Sequence, residues 1–213
     1  MSTTRVSHPI FARLFARASV AMDRAGMAEH RHRLVAGLHG QVVEVGAGNG
    51  RMFAHYPPAV TAVLAVEPEP RLRADARTAA DRAPVPVTVT DGLAEALPVP
   101  DAGADAVVLS LVLCSVRDQS VALREAYRVL RPGGQLRFYE HVVADTPGLR
   151  RAQRWVDATC WPLFCGGCHT ARDTVGAIAA AGFSVVALDR FRFPPEGLAM
   201  PASPHVLGTA IRP

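Results

Sequence analysis

The chain has 213 residues, 49% hydrophobic and 20% charged, with aromatics at only 6%. That suits one soluble α/β domain with an ample core, is too short for two full domains, and contains no apolar run of bilayer-spanning length. The net charge of +4 is carried by arginine alone, spread along the chain without interleaved aromatics, so no nucleic-acid site is expected. With no signal-peptide arrangement at the start, the expected location is cytoplasmic.

Residues 1–40 read as an amphipathic helical preface. Phe11, Leu14, Phe15 and Ala18 recur at helical spacing, and a second helical stretch runs from about Ala28 to Leu38. Such a face either packs on the domain and covers a ligand site, which is the favoured expectation, or makes a weak contact with a membrane surface. His8, Pro9 and Tyr56 are pocket candidates by position only.

The apolar run Val42-Val43-Glu44-Val45 breaks into Gly46-Ala47-Gly48-Asn49-Gly50 and resumes as a helical pattern at Arg51. This predicts a buried strand turning sharply into a helix, with side-chain-free backbone and free N–H groups forming a cradle. A dinucleotide fingerprint places its third glycine where Arg51 stands, so a nicotinamide oxidoreductase is the lesser alternative. G-x-G-x-G with Glu44 two positions before it resembles motif I of class I S-adenosylmethionine-dependent methyltransferases. In that family the loop lies beside the methionine part of the cofactor and the strand acid helps to position its ammonium group.

Val60 to Val66 reads as a second strand ending in Glu67 and Pro68. An acid at this strand end is placed to hold ribose hydroxyls. A helix from Arg71 to Ala83 precedes a third strand, Val85 to Thr90, whose Pro86 points to the edge of a sheet. The following Asp91-Gly92-Leu93 is similar to the loop with which small-molecule methyltransferases line the adenine. Leu93 stands there in place of the usual acid, leaving Asp91 or the backbone to bind the ring edge.

Asp105 to Leu113 is the most apolar stretch, as befits a central parallel strand. Its exit, Leu111-Val112-Leu113-Cys114-Ser115-Val116, lacks the polar segment typical of enzymes that methylate nucleic-acid amines. Asp118 then caps a helix that ends in Leu130-Arg131-Pro132-Gly133-Gly134, followed by a strand to Tyr139. Thr170 is expected to cap a further helix through Ala181, and two closing strands, Phe183 to Phe191 and His205 to Ile211, to form a reversed hairpin.

The segments Leu111 to Asp118, Glu140-His141-Val142, Gly167 to Arg172 and Ser203 to Gly208 together look like the methyltransferase branch that includes the animal thiol methyltransferases. That branch has an apolar N-terminal membrane anchor, and none is expected here. The resemblance implies a doubly wound, seven-stranded, mostly parallel Rossmann-like sheet with the last strand antiparallel and helices on both faces. The domain spans 41–213, with a lid insertion at about 141–170. It implies S-adenosylmethionine as cofactor, S-adenosylhomocysteine as product, and a small lipophilic acceptor, a thiol first and an oxygen or carbon acceptor second. Glu44, Gly46, Ala47, Gly48, Glu67, Pro68, Asp91, Gly92, Leu93 and Leu111 fall at the cofactor positions, and Cys114, Trp155, Trp161 and Cys168 become pocket walls.

A thiol of pKa about 8.5 needs little help to ionise, whereas a phenol near about 10 needs a base. His141 and His205 are the candidates for that role. Cys160, Cys165, Cys168 and His169 do not make a convincing zinc set, because Cys-x-x-Cys occurs once and without a second pair, so no metal is expected. A Cys165–Cys168 disulfide is not expected in a reducing compartment. A monomer or homodimer is expected, and a non-catalytic cofactor-binding partner protein stands as the alternative outside enzymology.

Overall fold

The computed structural model describes residues 9–159 and 161–213. Seven strands form one sheet: β1 (Gly40–Val45), β2 (Val60–Val66), β3 (Val87–Thr90), β4 (Ala104–Ser110), β5 (Leu130–His141), β6 (Ser184–Arg192) and β7 (Pro204–Ile211). Their order is β3-β2-β1-β4-β5-β7-β6, with the first five parallel and β7 antiparallel to both of its neighbours. This is the doubly wound sheet with a reversed last strand that the family resemblance implied. β3 lies at one edge, where the preceding Pro86 removes no ladder donor and lends its carbonyl to the Val63 amide at 2.8 Å.

The central strands are largely apolar because both faces are covered. Val43, Val45, Val107, Leu109 and Phe138 pack on one side with Leu123 of α4 (Gln119–Val129) and Ile178 of α7 (Thr174–Ala180). Val42, Val63, Ala106 and Val108 pack on the other with Leu34 of α2 (Ala28–Val35) and Ala76 of α3 (Pro70–Ala80). Adjacent residues of one strand thus serve opposite layers, as the two-residue period requires.

Register decides where chemistry can occur. Val45 pairs with Val66 on one side and with Leu109 on the other. Gly46, Glu67 and Ser110 therefore emerge together at the carboxyl ends of β1, β2 and β4, the edge where open α/β sheets bind ligands.

Two local expectations are corrected. The chain after the glycine loop does not continue as a full helix; it makes one short helical turn, Phe53–His55, and then extends at Tyr56. Pro57 and Pro58 follow at once, and a residue before proline is driven out of helical conformation. Thr170 likewise caps no helix. Asp173 does so, accepting from the Gly176 amide at 3.0 Å, while the Thr170 amide and hydroxyl both donate to Asp157 at the end of α5 (Pro147–Asp157).

The preface is α1 (Pro9–Met22), a bend at Gly26, and α2. No described helix is long and apolar enough to cross a membrane. Replacing the fully buried Leu123 should show how far packing between α4 and the sheet supports the fold. Leu123→Ala is expected to cost about 2–5 kcal/mol, read as a lower urea midpoint at unchanged slope.

Candidate active site

The glycine loop is held by its own fold. The Gly46 and Ala47 amides both donate to the Val66 carbonyl (2.8 and 3.2 Å), the Gly50 amide to the Ala47 carbonyl (3.0 Å), and the Gly48 amide to Glu67 Oε2 (2.7 Å). Of the cradle's amides, those of Gly46, Ala47, Gly48 and Gly50 are therefore spent within the fold, and no full helix follows to add its own donors. What it presents is bare backbone. Gly46 adopts φ +68°, and a Cβ there would lie 2.6 Å from Val112 Cγ2; at Gly48, with φ +57°, it would lie 3.1 Å from the Phe15 ring. A side chain at either position would fill the slot.

Glu67 is buried, and its other oxygen accepts from the Glu69 amide at 2.9 Å. Burial raises its pKa to about 7 against the pull of those two amide bonds. Glu44 lies deeper, takes the Tyr56 hydroxyl at 2.8 Å, and is pushed by burial to about 8. Tyr56, a candidate by position only, thus acts behind Glu44 as its hydrogen-bond donor.

These groups open on a cavity of about 870 Å³, within the range of small-molecule sites. Glu44, Gly46, Ala47, Gly48, Glu67, Pro68, Gly92, Leu93 and Leu111 all line it. Asp91 does not: its carboxylate turns outward to Arg73 Nη1 at 3.0 Å, and the same guanidinium holds the Glu67 and Pro68 carbonyls. The loop's contact with a ligand thus falls to Gly92 and Leu93, joined by Glu95, which also accepts from the Arg117 amide at 3.2 Å.

The roof comes from two distant segments. Phe11 and Phe15 of α1 line the cavity, and α1 is docked onto the loop by Asn49 Nδ2 donating to Ser19 Oγ at 2.9 Å. Just beyond the helix, Asp23 receives both Arg51 and Arg31, at 2.6 and 3.0 Å. Gly166 and Gly167 approach from the insertion; a Cβ on Gly166 would meet the Phe11 ring at 2.7 Å. Gln153, fully buried on α5, holds this insertion by bonds to Ala144, Val142, Thr170 and Pro201. Residue 8 lies outside the described residues.

The remaining wall is the exit of β4. Leu111 takes a left-handed φ of +59°, and the turn is fastened from below by Glu140, a fully buried carboxylate accepting from the Val112, Leu113 and Cys114 amides at 2.9, 2.9 and 3.2 Å. From the other side Arg172 Nη1 donates to the Leu113 and Val116 carbonyls (2.6 and 2.7 Å), and the His169 amide to the Cys114 carbonyl (2.8 Å). Arg117, His169 and Arg172 line the cavity here. His169 falls in the insertion expected over the pocket, whereas Glu140 and Arg172 stand out in the sequence only within segments of family resemblance, because their backbone partners lie 26 and 59 residues away.

The expected base and wall residues are placed differently. His205 is buried beneath the sheet edge, Nδ1 at 2.8 Å from the Ser203 carbonyl, and burial lowers its pKa to about 3. His141 packs against it, ring centroids 4.5 Å apart, with Nδ1 at 3.4 Å from Cys168 Sγ. Neither histidine is on the cavity wall, nor are Cys114 and Cys168, which are buried behind it. Trp161 is half-buried away from the wall. Trp155 is 71% exposed, because Gln153 occupies the inward side of α5 and a residue two positions on points nearly opposite.

Comparison with known proteins agrees with this geometry. A family profile described as a methyltransferase domain matches residues 43–138. The human thiol S-methyltransferase TMT1A is 33% identical over 178 residues, covering 80% of this chain and 70% of the human protein. The chain belongs to the S-adenosylmethionine-dependent methyltransferases. A methyltransferase of Thermotoga maritima described as possibly acting on histamine superposes with a TM-score of 0.68 at 23% identity, covering 96% of this chain and 98% of that one. The geranyl diphosphate C-methyltransferase of Streptomyces coelicolor, solved with S-adenosylhomocysteine, gives 0.69 at 16% identity, covering 89% and 77%. The nicotinamide alternative gives way.

The slot fits the cofactor of this methyltransferase family: phosphate-free, it needs no free loop amides, and its ribose hydroxyls require acceptors of the kind Glu67 carries. A hydroxyl donates best to an ionised carboxylate, so affinity should rise as pH passes Glu67's value of about 7. Calorimetry with S-adenosylhomocysteine is expected to show about tenfold tighter binding at pH 8 than at pH 6. Glu67→Gln should weaken binding at pH 8 by at least about tenfold and flatten that slope. An unchanged affinity would remove Glu67 from the site.

Proposed function

We propose that this methyltransferase acts on small lipophilic thiols. The observation that carries the proposal is the character of the wall beyond the glycine slot. Phe11, Phe15, Val112 and Val116 make it apolar, and the guanidinium groups of Arg117 and Arg172 stand at its polar edge beside the His169 imidazole. The acids nearby are committed to backbone: Glu95 to the Arg117 amide, and Asp118 to the first amides of α4. A guanidinium beside the acceptor sulfur lowers the pKa of its thiol and favours the thiolate.

When bound, S-adenosylmethionine supplies a methyl group already activated on a sulfonium. The chain's part is then to hold, orient and dry. The rings of Phe11 and Phe15, meeting the Gly166-Gly167 turn, exclude water, and the turn fixed by Glu140 and Arg172 orients the acceptor against the slot. His141 and His205, behind the wall, are not needed as bases for a thiol; His169 is the imidazole on the wall. The human relative named a thiol S-methyltransferase supports this acceptor class over oxygen or carbon.

The test is turnover of the full chain with S-adenosylmethionine on matched apolar thiols, phenols and amines, read as methylated product. Thiols should be methylated well above the others, and His169→Ala should change kcat/KM for a thiol by less than about tenfold. Preference for a phenol or amine would overturn the thiol assignment. Cofactor binding with no turnover on any class would favour a non-catalytic partner protein.

A further inference from the structure

Behind the acceptor wall, three side chains that the proposed methyl transfer leaves unused converge. Cys114 follows β4, His141 ends β5, and Cys168 lies in the insertion, yet the two thiol sulfurs and an imidazole nitrogen all lie within 4.8 Å of one another. Cys168 Sγ is 3.4 Å from His141 Nδ1. Both cysteines are buried, at 1% and 5% exposure.

Each member is held independently. The Cys114 amide binds Glu140 and its carbonyl receives the His169 amide, so the chain carrying Cys168 is pinned against the chain carrying Cys114. His141 is fixed by pairing with His205 across β5 and β7 and by its ring contact with His205. The donors therefore stand in place without needing a ligand to gather them.

We propose that Cys114, His141 and Cys168 form a three-ligand site for a thiophilic divalent cation, zinc first. Two sulfurs and one imidazole nitrogen are the donor set of tetrahedral zinc, whose ligand-to-ligand edges are about 3.5–3.8 Å, so small side-chain adjustments close the site. Binding releases the two thiol protons to solvent, and the resulting thiolates neutralise the dication, which a dry site requires. A fourth position is left for a water or another exogenous donor. This is a different set from the Cys160, Cys165, Cys168 and His169 group weighed in the sequence, and it departs from the expectation of no metal: His169 goes to the cavity wall, while β4 and β5 contribute Cys114 and His141.

The test is anaerobic titration of the reduced, full-length protein with Co²⁺ alone, then Zn²⁺. One equivalent of Co²⁺ should give near-ultraviolet sulfur-to-cobalt charge transfer with tetrahedral visible bands, and Zn²⁺ should bleach both. Cys114→Ser/Cys168→Ser should weaken Zn²⁺ binding by at least about a hundredfold, while Cys160→Ser/Cys165→Ser keeps the signal. Zinc-edge absorption fine structure on the wild type, independent of any variant's folding, should find two sulfur neighbours. The proposal is overturned by absence of charge transfer, by its survival in the first double variant or loss in the second, or by a first shell of oxygen and nitrogen only.

Discussion

The hydrogen bond from the Gly48 amide to Glu67 is the constraint on which the site depends. It ties the loop after β1 to the tip of β2, and it exists because in-register parallel pairing brings Val45 beside Val66 and so delivers both turns to one edge. A buried carboxylate left alone there would be costly; two backbone amides make it tolerable, though its pKa remains raised. The same bond consumes the loop donor that would otherwise favour a phosphate. One interaction thus shapes the slot.

Glu140 plays the corresponding part for the acceptor half. A carboxylate at the end of β5 gathers three consecutive amides of the β4 exit and allows Leu111 its left-handed conformation, so the wall of the cavity is a held turn instead of a free loop. Burial raises its pKa to about 7 as well. Arg172 and the His169 amide close the turn from the insertion side, which couples the roof to the central strand. The methyltransferase cavity is therefore bounded on two sides by turns that a carboxylate holds through backbone amides.

Local chemistry made much of this legible. The apolar runs marked the strands because a parallel sheet covered on both faces leaves no polar side, and Pro86 marked an edge because it cannot donate to a neighbour. The spacing of Glu44, Gly46, Gly48 and Glu67 pointed to the slot because Gly46 and Glu67 directly follow strands, with Glu44 just before and Gly48 just after the first of these turns. The failures were also physical. A helical pattern after Gly50 could not outweigh Pro57 and Pro58, and Trp155 suggested a pocket by its chemistry although the helix phase set by Gln153 turned it outward.

The sequence by itself determined the element order and the glycine loop, since these rest on periodicity, turn residues and strand-end positions within a few residues of one another, while the arrangement of the sheet was implied by the family resemblance. Only the tertiary structure decided which side chains line the cavity. His141 and His205 were drawn behind the wall by pairing of β5 with β7, while His169 and Arg172 were brought onto it by a fold of the insertion. Those placements depend on contacts across tens of residues, and no local spacing encodes them.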